Sequence, residues 1–288
     1  MSTLRLAAAV RGPRRRATRV RGRLVPLLAG TFVALVVLAA ALAPLIAPHD
    51  PNAVDPLAVS RPATADHWLG TDDTGRDILS RLLYGARPSL LAPLAVTLAA
   101  GALGTALAVS AAWRGGWWDR AVTAALDLVF GFPGLVLAVV GAALFGAGLP
   151  VAVATLTLAS LPYVVRVVRG SALRERHLPY TAALRMLGVG GTRICLRHLL
   201  PNLAPLILVQ TATSFGYTLL DIAAFSFIGL GARPPTAEWG LMVAQGAPGI
   251  LAGRPEQALA AGTAIVLFTV ACGLLGNALS QRLAGDPT

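Results

Sequence analysis

The chain has 288 residues, 56% of them hydrophobic and only 13% charged, a mixture far more apolar than that of a water-soluble globular domain. Its net charge of +11 rests on arginine alone, since no lysine is present. Such a charge admits a nucleic-acid partner, but its placement, traced below, argues against one, and without lysine a phosphate-binding Gly-x-x-x-x-Gly-Lys-[Ser/Thr] loop is excluded.

Residues 1–25 are basic and lack periodic apolar positions, which predicts a disordered tail near anionic head groups. The apolar stretch that follows, with Ala41-Leu42-Ala43, imitates a secretory signal; Pro44 directly after it and a run long enough to span predict an uncleaved anchor instead. Apolar runs recur at 27–47, 90–113, 121–145, 149–165, 203–230 and 258–281, each near the roughly 20 residues that a helix needs to cross a hydrocarbon core. The sequence therefore predicts an all-α membrane protein of six transmembrane helices.

Between the first two runs, Pro48, Asp50, Pro51, Asp55 and Pro56 predict an irregular external segment. After it, Ile78, Leu79, Leu82 and Leu83, with Arg81 among them, predict a short amphipathic helix on the outer interface, separate from the second span. Arg114–Arg120 and Gly146–Pro150 read as tight turns. The segment 166–201 is too long for a mere connection and too short and apolar for a separate domain, and is a candidate docking element. Residues 231–257, with Pro234-Pro235, Trp239-Gly240 and Pro248-Gly249, are read as an ordered loop without regular structure.

The arginines divide unequally. Eight precede the first span and seven lie between the fourth and fifth; Arg114, Arg120 and Arg282 bring that side to eighteen, against six on the other (Arg61, Arg76, Arg81, Arg87, Arg233 and Arg254). The positive-inside bias then puts both termini in the cytoplasm, as an even number of spans requires. Cys195 and Cys272 fall in a cytoplasmic segment and a span, so they are read as packing residues. The domain reading is a basic cytoplasmic tail over 1–25, a first helix and external segment over 26–88, a five-helix core over 89–283 with a cytoplasmic loop at about 166–201, and a C-terminal tail over 284–288.

No catalytic constellation stands out. His49, His67, His177 and His198 form no His-Glu-x-x-His pattern and sit beside no Cys at ligand spacing, so neither a catalytic residue nor a metal site is expected. The acids Asp127 and Asp221 fall inside spans, where ionisable groups face cavities or partners; either is a candidate pathway or subunit contact, with an interhelical hydrogen bond as the bland reading. In the cytoplasmic segment, Pro179 and the run Tyr180-Thr181-Ala182-Ala183-Leu184-Arg185-Met186-Leu187-Gly188 predict a two-turn helix with Tyr180, Ala183, Leu184 and Leu187 on one face. Gly188 ends it in a left-handed conformation. A helix lying on the membrane surface is an equal reading of those residues.

That run, followed by Leu200-Pro201, resembles the cytoplasmic loop signature of ABC-importer permeases. Leu69-Gly70-Thr71-Asp72, Gly75-Arg76-Asp77, Phe132-Pro133, Phe227–Gly231, Pro234-Pro235 and Trp239-Gly240 also resemble, in order and spacing, the dipeptide, oligopeptide and nickel branch of that family. The resemblance implies a type I ABC-importer permease fold and a bacterial inner-membrane subunit forming half of a pathway for peptides or related small solutes, nickel or metal chelates among them. It also implies a second permease, two cytoplasmic ATPases that use ATP and Mg²⁺, an external solute-binding protein, no cofactor on this chain, and no partner of nucleic acid. Tyr180, Ala182, Ala183, Leu184, Arg185, Leu187, Gly188, Leu200 and Pro201 become the ATPase-coupling residues. Ala182 stands where the family usually has Glu, and Asp221 where it often has Glu. A non-transporting scaffold or degenerate permease is the alternative, with Ala182 as its mark.

The arginine asymmetry makes a topological prediction. In a variant free of other cysteines, a Cys at Thr74 should react with an impermeant thiol reagent added outside and a Cys at Ser171 should not. Reversed labelling would overturn the orientation.

Overall fold

The computed structural model describes residues 14–283, with side chains from Leu24 to Arg282. The C-terminal tail and residues 1–13 of the basic tail lie outside that range; residues 14–25 are helical and continue into the first span. Among the described residues the chain forms ten α-helices: α1 (Arg14–Ile46), α2 (Ile78–Arg114), α3 (Gly116–Phe130), α4 (Gly134–Phe145), α5 (Leu149–Arg176), α6 (Pro179–Met186), α7 (Gly191–Ile194), α8 (Leu200–Phe227), α9 (Trp239–Leu251) and α10 (Glu256–Leu283). A π-helical turn over Cys195–Leu199 joins α7 to α8. Five stretches, Leu24–Ile46, Ile78–Arg114, Leu149–Arg176, Gly191–Phe227 and Glu256–Arg282, are long and apolar enough to cross a membrane. The sixth crossing is the pair α3 and α4, bent by 87°. Pro133 has no N–H to continue α3 and disfavours helical geometry at Phe132, so the run expected as one straight span breaks at Gly131–Pro133.

Helix α2 is the spine. Ala92, Val96, Ala100, Gly104, Ala108 and Ala112, each four residues from the last, are all buried, so one helix face carries only small or β-branched side chains. In lipid, where apolar burial does not by itself favour helix association, such a face lets backbones close in and gain dispersion. Gly104 marks the tightest point, because a Cβ there would stand 2.7 Å from Val164 Cγ1 of α5. Three cores surround the spine: Leu219, Trp239, Met242 and Phe268 toward α9; Val96, Leu156, Ile222 and Phe225 at mid-height; and Val164, Val168, Leu199 and Leu203 toward α6.

Two expectations are corrected. The amphipathic helix expected near 78–83 is the first part of α2, capped by Asp77, whose Oδ2 accepts from Ser80 N at 2.7 Å. The 88/89 boundary between the outer segment and the core consequently falls inside this helix. Arg81, expected on an amphipathic helix at the outer interface, is fully buried and donates to the carbonyl of Pro51 at 3.1 Å and to Gln245 Oε1 at 3.2 Å. Asp72 anchors the neighbouring turn by accepting from Thr74 N, Thr74 Oγ1, Arg76 N and Arg76 Nε. Burial works to raise this carboxyl, but those hydrogen bonds and the Arg76 charge outweigh it and hold the group below the usual carboxylate range.

The second correction is α9, which occupies the expected loop. Its glycines and proline lower intrinsic helix propensity, yet they serve contact: a Cβ on Gly240 would lie 2.4 Å from Ala223 O of α8. Glu238 caps α9, with Oε1 accepting from Gly240 N at 3.0 Å and Oε2 from Leu241 N at 2.8 Å. Burial pushes this carboxyl up, against the donors from Gly240, Leu241, Ser226 and Ser89. Trp239 Nε1 donates to Leu82 O at 2.9 Å, so the Glu-Trp-Gly run fastens α9 to α2 and α8.

Away from water, every backbone carbonyl needs a donor. Pro44, inside α1, cannot serve the carbonyl four residues back, that of Ala40. Arg87 of α2 does so, donating from Nε to Ala40 O at 2.7 Å and from Nη2 to Ala41 O at 2.9 Å. Replacing Arg87 by Leu should therefore destabilise the chain by about 1–3 kcal/mol, the cost of an orphaned buried acceptor. With Pro44→Ala restoring the N–H, the same replacement should cost clearly less. A double-mutant cycle of unfolding in detergent reads the difference, and equal costs in both backgrounds would exclude this pairing.

Candidate functional site

Two features stand out: a short helix standing off the bundle, and a polar-walled cavity between helices. Helix α6 starts on Pro179, which suits a first-turn position because its missing N–H would find no partner there. Its end is a Schellman turn: Gly188 N donates to Arg185 O and Val189 N to Leu184 O, each at 3.0 Å. Gly188 has φ +74°, a conformation that a Cβ disfavours.

The root of α6 is a polar knot. Tyr180 Oη donates to Glu175 Oε1 of α5 at 3.0 Å, and Asn202 Nδ2 of α8 donates to the same oxygen at 2.7 Å and approaches Tyr180 Oη at 3.3 Å. Thr181, fully buried, donates to Glu175 O at 3.1 Å. Burial, with the Glu175 carboxylate alongside, pushes the Tyr180 hydroxyl above the ordinary tyrosine range and keeps it a neutral donor at physiological pH. On the far side the Arg185 guanidinium lies 4.4 Å from the ring centroid of Trp113 on α2, a cation–π contact. One short helix is thus attached to α2, α5 and α8.

The outward face differs from the one expected. Tyr180 and Leu184 are partly buried against the bundle, whereas Ala182, Ala183, Met186 and Leu187 are exposed, Met186 by 84% and Leu187 by 78%. Helical spacing alone does not say which side of α6 the knot takes. Leu200 is partly buried and Pro201 exposed at the start of α8. Pro201 has no N–H for the carbonyl of Arg197, and the turn before it is widened, with Leu200 N donating to Cys195 O.

The cavity holds about 450 Å³ between α2, α5 and α8. Its polar lining includes Ser160 and Tyr163 of α5 and Gln210, Ser214, Tyr217 and Asp221 of α8, with threonines of α2 and α8 between them. Gln210 Nε2 donates to Ser214 Oγ at 3.1 Å, and Asp221 forms no ion pair among the described residues. Asp127 is placed elsewhere: its carboxylate meets Arg166 at 3.2 Å, both side chains more than half exposed, and it does not line the cavity. A second pair unremarked in the sequence, Asp119 with Arg169, also ties α3 to α5 through two hydrogen bonds. Glu175, Trp113 and the cavity's Gln210 and Tyr217 likewise carry no motif, whereas Asn202 directly follows Pro201 of the loop signature.

Residues 102–285 match the model of a family described as binding-protein-dependent transport system inner membrane component. Over 270 residues, 93% of this chain and 88% of the relative, the chain is 35% identical to a glutathione transport system permease protein, GsiD, of Escherichia coli O6:K15:H31. It is 35% identical over 268 residues to a probable D,D-dipeptide transport system permease protein, DdpC, of Escherichia coli K12, covering 93% and 89% of the two chains. Among solved structures, a chain of the MetNI methionine ABC transporter in an inward-facing conformation superposes with a TM-score of 0.58 at 20% identity, covering 72% of this chain and 97% of that one. This last likeness establishes the type I ABC-importer permease fold.

The knot predicts a local effect. Tyr180→Phe removes the hydroxyl shared by Glu175 and Asn202, a loss of about 1 kcal/mol, so amide hydrogen exchange over residues 181–188 should quicken about fivefold. Exchange in α2 should not change. Unaltered protection of α6 would mean that the knot does not hold it.

Proposed function

The chain belongs to the family of binding-protein-dependent transport system inner membrane components, multi-pass permeases of the inner membrane, and from that premise we propose that it forms half of a gated peptide pathway driven by separate ATPases. The permease identities of the relatives support peptides as the cargo class. A second permease would close the open side of the cavity, a solute-binding protein would deliver cargo from outside, and two cytoplasmic ATPases would receive α6. The arginine bias supports cytoplasmic termini, which puts α6 and the ATPases on one side and α9 on the other.

The observation that carries this reading is the shared attachment. Helices α5 and α8 wall the cavity, and the same two helices hold α6 through Glu175 and Asn202. Exposed Ala182, Ala183, Met186 and Leu187 offer an apolar surface to a groove. Closure of the ATPases on ATP would then displace α6 as a rigid body and bias the permease pair between inward-open and outward-open states. Within the cavity, Asp221 and the neighbouring hydroxyl and amide groups supply the charge and hydrogen bonds that a zwitterionic peptide needs. Chemistry on ATP lies with the partners and their Mg²⁺; this chain contributes shape and linkage. Ala182 lacks the carboxylate usual in the family, so docking would rest on the apolar surface and Arg185.

Gly188→Val tests the linkage. Its φ of +74° penalises a β-branched residue by about 1–2 kcal/mol, while nothing lies within 4 Å of the added Cβ and no span is touched. Insertion should persist, while bound ATPase or the ratio of uptake to hydrolysis falls severalfold in the reconstituted complex. Gly190→Val, at an extended position with φ −62°, should do much less. Wild-type attachment, hydrolysis and uptake in Gly188→Val would remove α6 from the coupling path.

A further inference from the structure

The connection between α1 and α2 brings together three side chains that are distant in sequence. His49 follows α1, His67 lies midway along the connection, and Asp77 caps α2. Their nitrogen and oxygen donor atoms all lie within 4.8 Å of one another. His67 Nδ1 is 2.9 Å and His49 Nδ1 4.0 Å from Asp77 Oδ1. The two imidazoles are neighbours, with centroids 4.7 Å apart and planes tilted by 34°.

The Asp77 carboxylate is 1% exposed, yet no arginine pairs with it among the described residues; Arg76 and Arg81 both turn to Asp72. Buried charges are ordinarily paired or bound to a metal. The group is also held in place. Asp77 Oδ2 is engaged by Ser80 N, which leaves Oδ1 facing the two rings, and Ser80 Oγ accepts from the backbone N of His49 at 3.1 Å. Ser80 thus holds the Asp77 carboxylate directly, as the outer shell of a metal centre does, and also holds the backbone that carries His49.

We propose that His49, His67 and Asp77 form a binding site for a divalent transition-metal ion of the zinc, cobalt or nickel type. Ligand atoms about 2.0–2.2 Å from such an ion stand roughly 3.3 Å apart in a tetrahedron, between the two separations from Asp77 Oδ1. Two imidazoles and one carboxylate suit these ions, whereas calcium and magnesium take oxygen donors. Three protein ligands leave one position for water, and His49, 40% exposed, leaves that position open to solvent. His67 Nδ1 lies within hydrogen-bond distance of Asp77 Oδ1; as a metal ligand it would give its lone pair, with the ring proton on Nε2. The sequence expectation of no metal site rested on short spacings, and this one is assembled by the fold. Its effect would be to clip the end of α1 to the start of α2.

The test uses the full-length, untagged chain in detergent after EDTA treatment and dialysis. Zn²⁺ titrated by calorimetry should bind at one equivalent, and Co²⁺ should give visible absorption bands characteristic of nitrogen and oxygen ligation. His49→Gln should weaken Zn²⁺ at least about tenfold, since even outer-shell losses reach that size. Because the backbone N of His49 makes the bond to Ser80, this variant should match the metal-free wild type in thermal stability and lose only the rise caused by Zn²⁺. His177→Gln should bind as wild type does. Absence of saturable binding in the wild type, or undiminished Zn²⁺ affinity in His49→Gln, would overturn the site.

Discussion

Where α2 crosses α5, Gly104 offers no side chain and Val164 packs directly on the backbone of its neighbour. Inside a bilayer this contact has no help from water exclusion, so it must come from close-fitting surfaces. The four-residue repeat of small residues along α2 extends the same fit from Ala92 to Ala112. With α5 and α8 both gathered on that spine, the polar cavity forms in the space their larger side chains leave. A bulkier residue at Gly104 would part the helices that define it.

Polar groups then do what packing between smooth helices does not: they set direction. Arg176 Nη1 donates to Ala112 O near the end of α2 at 2.6 Å, supplying a donor near the C-terminus of a helix, where carbonyls lack partners. Glu238 performs the reverse service for the amides that open α9. Glu175 gathers Tyr180 and Asn202 from two different helices. Each bond is modest alone, but each fixes an angle or a register that a stripe of alanine leaves free. The apolar spine therefore governs proximity, and the charged and amide groups at its ends govern orientation.

The six crossings were legible because length and apolarity are properties of a run, readable without knowing its neighbours. The limits of α6 and its left-handed end at Gly188 were legible for a similar reason, since a proline start and a glycine stop act through local backbone geometry. Interactions between distant segments were not. The exposed side of α6 depends on Glu175 and Asn202, and nothing within Tyr180–Gly188 reveals them. Gly240 and Gly246 read as loop residues until α8 and α10 are seen to approach them closely, a tertiary preference that overrides propensity. Asp127 and Asp221 looked alike as acids in apolar runs, and only the fold separates one paired at the surface from one lining a cavity.

The bond from Arg87 to Ala40 bears on biogenesis. As α1 enters the bilayer alone, the carbonyl that Pro44 leaves bare has no donor, and as α2 enters alone, its guanidinium has no acceptor. Each helix carries a defect that its partner repairs, and the repair cancels two desolvation penalties at once. The first two segments are therefore complete only as a hairpin, and each costs less in lipid beside the other than alone.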